Sequence, residues 1–388
     1  METTINKQLG FDPATVKRLT ALEILKRIGP GIILAGVVVG PGAITTAAML
    51  GSSYGYRMLW LFIPIFIMSI TFMLTCYRLA MLTGMPLLHG IRHYYGKGAA
   101  AFVASACSFP ACFSLLGTFP AAARHEPAFR HQLEDRIPDH DCHPAGHVFC
   151  QEYLFQSGKG NPAVHPGHDR RLLRHPVCSR GTGMGRFFRG VTHWGFPNGS
   201  IRHSLAFIST HAAITAGVYG TYLGAEKKWN KKDMFNGTML ADAIAHVVTV
   251  ILISGAVVLV GAIVLHPQGL RIKSPVQLAD MLRPFLGSYA NLVMGLALLG
   301  AAFSSLLGNT QRGVVLLNAG LDKDVSLESR LVRWSCTACI VFGTVICFLY
   351  NGSPTQLIFI ANLATAIGTP TAGFFVTRMI WRKDVNEG

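Results

Sequence analysis

Seven stretches of this chain contain no Asp, Glu, Lys or Arg: residues 28–56, 58–77, 98–123, 204–225, 243–270, 284–311 and 334–377. A helix needs roughly 20 mainly apolar residues to cross the hydrocarbon core of a bilayer, and every one of these runs is that long. The last has room for two crossings, and Asn351-Gly352-Ser353-Pro354 supplies turn chemistry between them. Charged residues make up 14% of the chain, against about 25% in an average soluble protein. The pattern predicts an all-α polytopic membrane protein with about eight spans. A soluble core would not segregate its charge in this way.

The formal charge of +15 would suit a nucleic-acid binder if it formed one patch. Instead the basic residues fall between the apolar runs. They lie at Lys7, Lys17, Arg18, Lys26 and Arg27, at Arg78, Arg92 and Lys97, and at Lys227, Lys228, Lys231 and Lys232. They recur at Lys323, Arg330 and Arg333, then at Arg378, Arg382 and Lys383. With alternating spans these segments share one face, the positive-inside pattern, which predicts a cell-membrane protein with a cytoplasmic N-terminus. Arg271, Lys273 and Arg283 fall on the other side. The expected partners are the lipid bilayer and a small ion, with no nucleic acid; the oligomeric state is open. A charged amphipathic stretch precedes the first span, unlike a cleavable signal peptide, and Asp12-Pro13 reads as its helix start. The nine Cys have no framework spacing.

Between residues 121 and 195 the composition changes abruptly. Nine of the fifteen His lie there, with six Pro and ten Arg or Lys. Cys142, His143, His147 and Cys150 are zinc-ligand types, so a His/Cys zinc-binding loop is one reading. Their spacing matches no standard pattern, and Pro144 and Gly146 would break a helix that aligned them. The reading preferred here is a shift of reading frame. One base out of register, His codons become Ile or Met, Pro becomes Leu, Cys becomes Val or Ala, and Arg becomes Gly or Ala. With permissible third bases DHDCHPAGHVFC (139–150) becomes IMTVILLAMYFA, and PAVHPGHDRRLLRHPVC (162–178) becomes LLCILVMIAAFFGILCV. Two apolar runs then appear where two spans are missing. Losing an even number of crossings preserves the downstream orientation.

Within the first apolar run, Gly36-Val37-Val38-Val39-Gly40-Pro41-Gly42-Ala43-Ile44-Thr45-Thr46 interrupts a helix. Pro removes a backbone donor and Gly tolerates unusual torsions. In a bilayer, freed carbonyls persist only when buried in protein or lining a wet cavity. Broken helices are also how many secondary transporters build ion sites; a simple kink is the plainer alternative.

Gly29-Pro30-Gly31, Gly40-Pro41-Gly42-Ala43 and Gly55-Tyr56 with Leu59-Trp60 resemble the first two spans of the Nramp family of divalent-metal carriers. Tyr219-Gly220-Thr221-Tyr222-Leu223 with Glu226-Lys227 resembles the end of its sixth span, and residues 301–309 (AAFSSLLGN) resemble its eighth. The likeness covers 28–120 and 196–380. It implies two inverted five-helix repeats, with first and sixth helices broken around one metal site. The family's first-helix motif, Asp-Pro-Gly-Asn, falls here on Gly40 and Ala43, so both side-chain ligands are absent. In the sixth helix Ile214 stands where a Met is expected, near His211. The resemblance thus implies a substrate-ion site at Gly40, Ala43, His211, Ile214 and Thr215, mostly backbone, with the helices broken at Pro41, Gly42 and Gly217. Without sulfur, such a site suits a hard cation such as magnesium better than manganese or iron.

His211 is the one ionisable residue in its span, a functional candidate by default; a lone His also bonds neighbouring helices. His246, four residues after Asp242, is a weaker candidate that could simply face water. Ser304, Ser305 and Asn309 suit helix–helix hydrogen bonds. The expected organisation is a cytoplasmic segment 1–27, spans one to three in 28–120, the shifted segment 121–195, spans six to ten in 196–380, and a tail 381–388. The expected function is alternating-access transport of a divalent cation, with no enzyme activity and no cofactor. No G-x-x-x-x-G-K-[ST] loop for ATP-driven transport occurs. A non-functional frameshifted product is the alternative.

Overall fold

The computed structural model describes residues 10–123, 182–272, 277–349 and 354–386, and within them every regular element is a helix. The proposed zinc ligands and the two apolar runs of the shifted frame lie outside the described residues, as does the 351–353 turn.

The chain begins differently from expectation. Asp12 caps only a single 3-10 turn, Pro13–Thr15. The first helix, α1 (Ala21–Arg27), starts after Thr20, which forms a capping box with Glu23. Thr20 Oγ1 accepts from Glu23 N at 3.4 Å, and Glu23 Oε2 accepts from Thr20 N at 2.8 Å. That pair satisfies two orphan donors, whereas the Asp12 side chain takes one, from Ala14 N at 2.9 Å.

The first apolar run folds as two half-helices, α2 (Pro30–Val38) and α3 (Pro41–Tyr54). A 3-10 segment, Gly55–Leu61, leads into α4 (Phe62–Thr83), and α5 (Leu87–Ala123) is kinked at Gly96. After the undescribed segment come α6 (Thr182–Thr192), α7 (Ile201–His211) and α8 (Ile214–Glu226). Then α9 (Thr238–Val260) runs on through a π turn, Gly261–Leu265. α10 (Leu278–Leu286), α11 (Ala290–Gly320), α12 (Arg330–Leu349), α13 (Pro354–Ile380) and α14 (Lys383–Asn386) complete the chain.

Three described stretches, Pro41–Thr83, Thr238–Gln268 and Met281–Gly320, are each long and apolar enough to cross a membrane. The half-helices are individually too short, so the interruptions divide what the charge-free runs present as continuous spans.

Two kinds of surface hold the helices together. Between lipid-exposed helices there is no water to expel, so packing relies on close contact of small residues. Gly308 of α11 sits against Val37 of α2, and Gly51 of α3 lies so near α9 that an added Cβ would stand 2.2 Å from the Val258 carbonyl oxygen. The main core joins α4, α5, α8, α11 and α13 through residues such as Met73, Tyr77, Ile91, Val103, Tyr219, Val315 and Val376. Large apolar side chains meanwhile point outward along the long helices, including Ile67, Leu252, Phe303 and Phe342. Small residues at the closest helix contacts and large apolar ones facing outward suit a lipid-facing bundle.

Helix α6 lies inside the interval 121–195 that composition marks as foreign. Its Phe187 and Val191 pack into the cluster around Met58, Leu61 and Ile65. Just beyond it, Trp60 stacks on Trp194 with ring centroids 5.5 Å apart, and Trp60 Nε1 donates to the Gly195 carbonyl at 3.2 Å.

Candidate functional site

The start of α2 is fixed from α9. Pro30 at the first helical position carries no donor, and the neighbouring amides of Gly29 and Gly31 donate to Asp242 at 2.9 and 2.8 Å. Tyr77 O–H adds a third bond to the same carboxylate, at 3.1 Å. A carboxylate at a helix N-terminus meets both the orphan amides and the positive end of the macrodipole. His246, one turn later on α9, is buried rather than facing water, and its Nδ1 donates to the Gly31 carbonyl at 3.1 Å. Asp242 and His246 of α9 therefore both anchor α2.

At its other end α2 stops in a tight turn centred on Val39 (φ −81°, ψ 64°), where Gly40 N donates to the Val38 carbonyl at 2.9 Å. This is the geometry of an inverse γ-turn. Gly40 is extended, and Pro41 opens α3. The interruption thus falls at Val39–Gly40, while Pro41 and Gly42 are the first residues of the second half. Carbonyls released from α2 are met by α11. Ser304 Oγ donates to Gly36 O at 3.4 Å, and Ser305 Oγ and Asn309 Nδ2 donate to Val37 O at 3.3 and 3.4 Å. The eighth-helix residues thus make the helix–helix bonds expected of them.

The second interruption lies between α7 and α8, at Ala212 (φ −122°, ψ 33°) and Ala213 (φ −74°, ψ 126°). Gly217 is not the break. It is inside α8, where its Cα lets the helix approach α4; an added Cβ would lie 3.0 Å from Cys76 Sγ. Ser69 Oγ of α4 donates to the His211 carbonyl at 2.7 Å, and Ser209 Oγ donates to the Asn362 carbonyl of α13 at 2.7 Å.

The two interruptions meet at a cavity of about 40 Å³, room for one to a few water-sized occupants. Its walls come from Val37, Val38, Gly40, Gly42 and Ala43 of the first helix and Ser209, Thr210 and Ala213 of the sixth. Ser305, Asn309 and Arg312 of α11 and Asn362 and Thr365 of α13 complete it. Gly40 and Ala43 are on this wall. His211, Ile214 and Thr215 are not on the wall. The His211 ring lies against Phe207, its Nδ1 donates to Phe207 O at 2.8 Å, and Nε2 shares a 2.7 Å bond with Ser254 Oγ. Both nitrogens are engaged, Nδ1 within α7 and Nε2 in the bond that ties α7 to α9. Ile214 opens α8 and is buried in the main core, and Thr215 is likewise buried, its methyl 3.3 Å from an added Cβ on Gly368.

Sequence reasoning missed the side-chain donors on α13 and the charge on α11. Asn362 Nδ2 donates weakly to Gly42 O and Thr46 Oγ1, both at 3.4 Å, and Asn309 Nδ2 is used on Val37 and Ser305. Among the described residues neither amide oxygen accepts a hydrogen bond. A polar amide inside the charge-free run 334–377 was the available signal for Asn362. The wall offers hydroxyl and amide oxygens, with no carboxylate and no sulfur. Among the described residues no three His, Cys, Asp or Glu come together as a metal cluster.

The profile of the Nramp family, natural resistance-associated macrophage protein-like, matches residues 31–124 and 183–387. No curated protein sequence matches the chain. Three crystal structures of a manganese transporter from Eremococcus coleocola, two of point mutants and one with an aromatic bis-isothiourea substituted compound, share its fold. Each gives a TM-score of 0.59 at 13% identity, over 96% of this chain and 83% of the other. The architecture is thus the inverted-repeat secondary-transporter fold, with first and sixth helices broken.

Proposed function

The chain belongs to the Nramp family, and from that premise we propose that it carries a divalent metal cation across a cell membrane by alternating access. One observation supports the reading: two interrupted helices meet at a small cavity whose lining carries hydroxyl and amide oxygens, beside Arg312. Asn309 and Asn362 would hold the ion through amide oxygens, with Ser209, Thr210 and Thr365 adding hydroxyls. Gly40 and Ala43, which bear no donor side chain, would contribute backbone. Hard neutral oxygens without sulfur favour Mg²⁺ over Mn²⁺ or Fe²⁺, which sets the donor set apart from the cargo named for the E. coleocola transporter. Basic loops orient the chain with its N-terminus in the cytoplasm.

The test is uptake into vesicles reconstituted with the full chain, comparing Mg²⁺ with Mn²⁺. Asn309→Ala and Asn362→Ala should each lower uptake at least about tenfold, the loss expected when a site loses a hydrogen-bonding or ligating group. Uptake unchanged in both variants would overturn this donor set.

A second reading has an observation of its own. The family match stops at residue 124 and resumes at 183, where a shifted frame would have replaced two spans of the first repeat. On this reading the chain keeps the cavity but does not transport. A chain with the frame repaired would then take up cation while the present one does not.

A further inference from the structure

The segment Gly55–Leu61 joins the first span to the second, so it lies where the chain leaves the bilayer and re-enters it. Helix α6 is clamped onto this segment. Its Gly190 comes so close that an added Cβ would stand 2.1 Å from the Tyr56 carbonyl oxygen, and Phe187 and Val191 pack into the cluster beneath. The family profile resumes at residue 183, so α6 belongs to the matched part of the chain. Tyr54 O–H donates to the Gly199 carbonyl at 3.0 Å, and His266 Nδ1 donates to the Ser52 carbonyl at 3.0 Å. The segments that follow α6 and α9 therefore gather at the same end of the bundle.

The outward side of this end combines two chemistries. Met184, Phe188 and Trp194 are 67%, 58% and 63% exposed. Residues 55–61, 182–203 and 266–272 hold Arg57, Arg186, Arg189, Arg202 and Arg271 and no Asp or Glu. All of these arginines are exposed, and among the described residues no carboxylate pairs with them. The positive-inside pattern puts basic residues on the opposite face and leaves this group unexplained. Apolar side chains interleaved with arginines at a membrane boundary suit the headgroup layer, where apolar groups enter the acyl boundary and aromatic rings sit at headgroup level. The guanidinium fork matches phosphate oxygens. Ile63, Phe66 and Ile67 of α4, directly after the turn, are exposed as well, so the patch continues a lipid-facing surface.

We infer that α6 and the residues after it form an interfacial anchor for anionic phospholipids of the surrounding bilayer, with Arg186 and Arg189 taking the headgroup and Met184, Phe188 and Trp194 entering the lipid. The net positive charge of this face favours a headgroup of net negative charge over a zwitterionic one. The inference does not depend on the cavity or its ion.

The experiment is photo-crosslinking of the full-length chain in phosphatidylcholine vesicles that carry an equal share of either photoactivatable phosphatidylglycerol or photoactivatable phosphatidylcholine. Adducts are mapped by peptide mass spectrometry, which separates this face from the basic loops at the other end. Phosphatidylglycerol should label residues 182–203 at least about threefold more than phosphatidylcholine does. Arg186→Gln with Arg189→Gln should remove that preference while leaving the phosphatidylcholine labelling in place. No adduct in 182–203 from either lipid would overturn the anchor altogether. Equal labelling of the unsubstituted chain by both lipids, or an undiminished preference in the double variant, would overturn the role of the arginines. If the double variant does not fold, the two lipids compared on the unsubstituted chain decide.

Discussion

The two broken helices differ in what breaks them. The first is interrupted beside Gly40-Pro41-Gly42, residues that weaken a helix by their own covalent structure, and the turn at Val39 has a self-contained hydrogen bond. The second is interrupted at two alanines, the best helix formers there are. Nothing local stops α7 at His211. What stops it comes from a neighbour: Ser69 Oγ takes the His211 carbonyl, so the chain gains an outside partner by leaving the helix. One break is written into the backbone and the other is imposed by neighbours.

The contrast can be broken by substitution. The largest effect is expected at Gly40, where a Cβ would stand 2.3 Å from Ser305 Oγ and 2.6 Å from Ser305 Cβ. Gly40→Ala should cost about 3 kcal/mol by overpacking, read as a lowered melting temperature in detergent. Ser69→Ala tests whether the second break needs its outside partner. It should cost about 1–2 kcal/mol, the price of leaving one buried carbonyl unmet. It should also slow uptake, because α7 can then extend past His211; uptake and melting both unchanged would mean the alanines break the helix unaided. The smallest effect is expected from Gly217→Ala. Its Cβ would meet Cys76 and the Phe72 carbonyl at 3.0–3.2 Å, a contact relieved by small shifts at about 1 kcal/mol or less. The break at Ala212–Ala213 should survive it, and loss of uptake in this variant alone would return the break to Gly217.

The same contrast explains how far the sequence could be read. Charge-free runs and their basic borders carry the membrane character of the chain, because burial in lipid acts on composition directly. The first break was legible to within two residues, since Gly and Pro act locally. The second is implied at Gly217 by the family resemblance, and the structure moves it to Ala212–Ala213, because that glycine serves close packing against α4. His211 was singled out as a lone ionisable group, which sequence cannot distinguish from a His with both nitrogens engaged by Phe207 and Ser254. Asn362 was passed over because its importance lies in what faces it across the cavity, a property of the assembled bundle.

The three bonds gathered by Asp242 have a mechanical corollary. Gly29, Gly31 and Tyr77 all point their donors at one carboxylate, so the N-terminal tip of α2 is riveted to α9 and α4 together. Should that half-helix swing to let an ion out, it has two options: drag α9 with it as a single lever, or release the rivet first. Asp242 thereby decides whether α2 moves by itself or only in company.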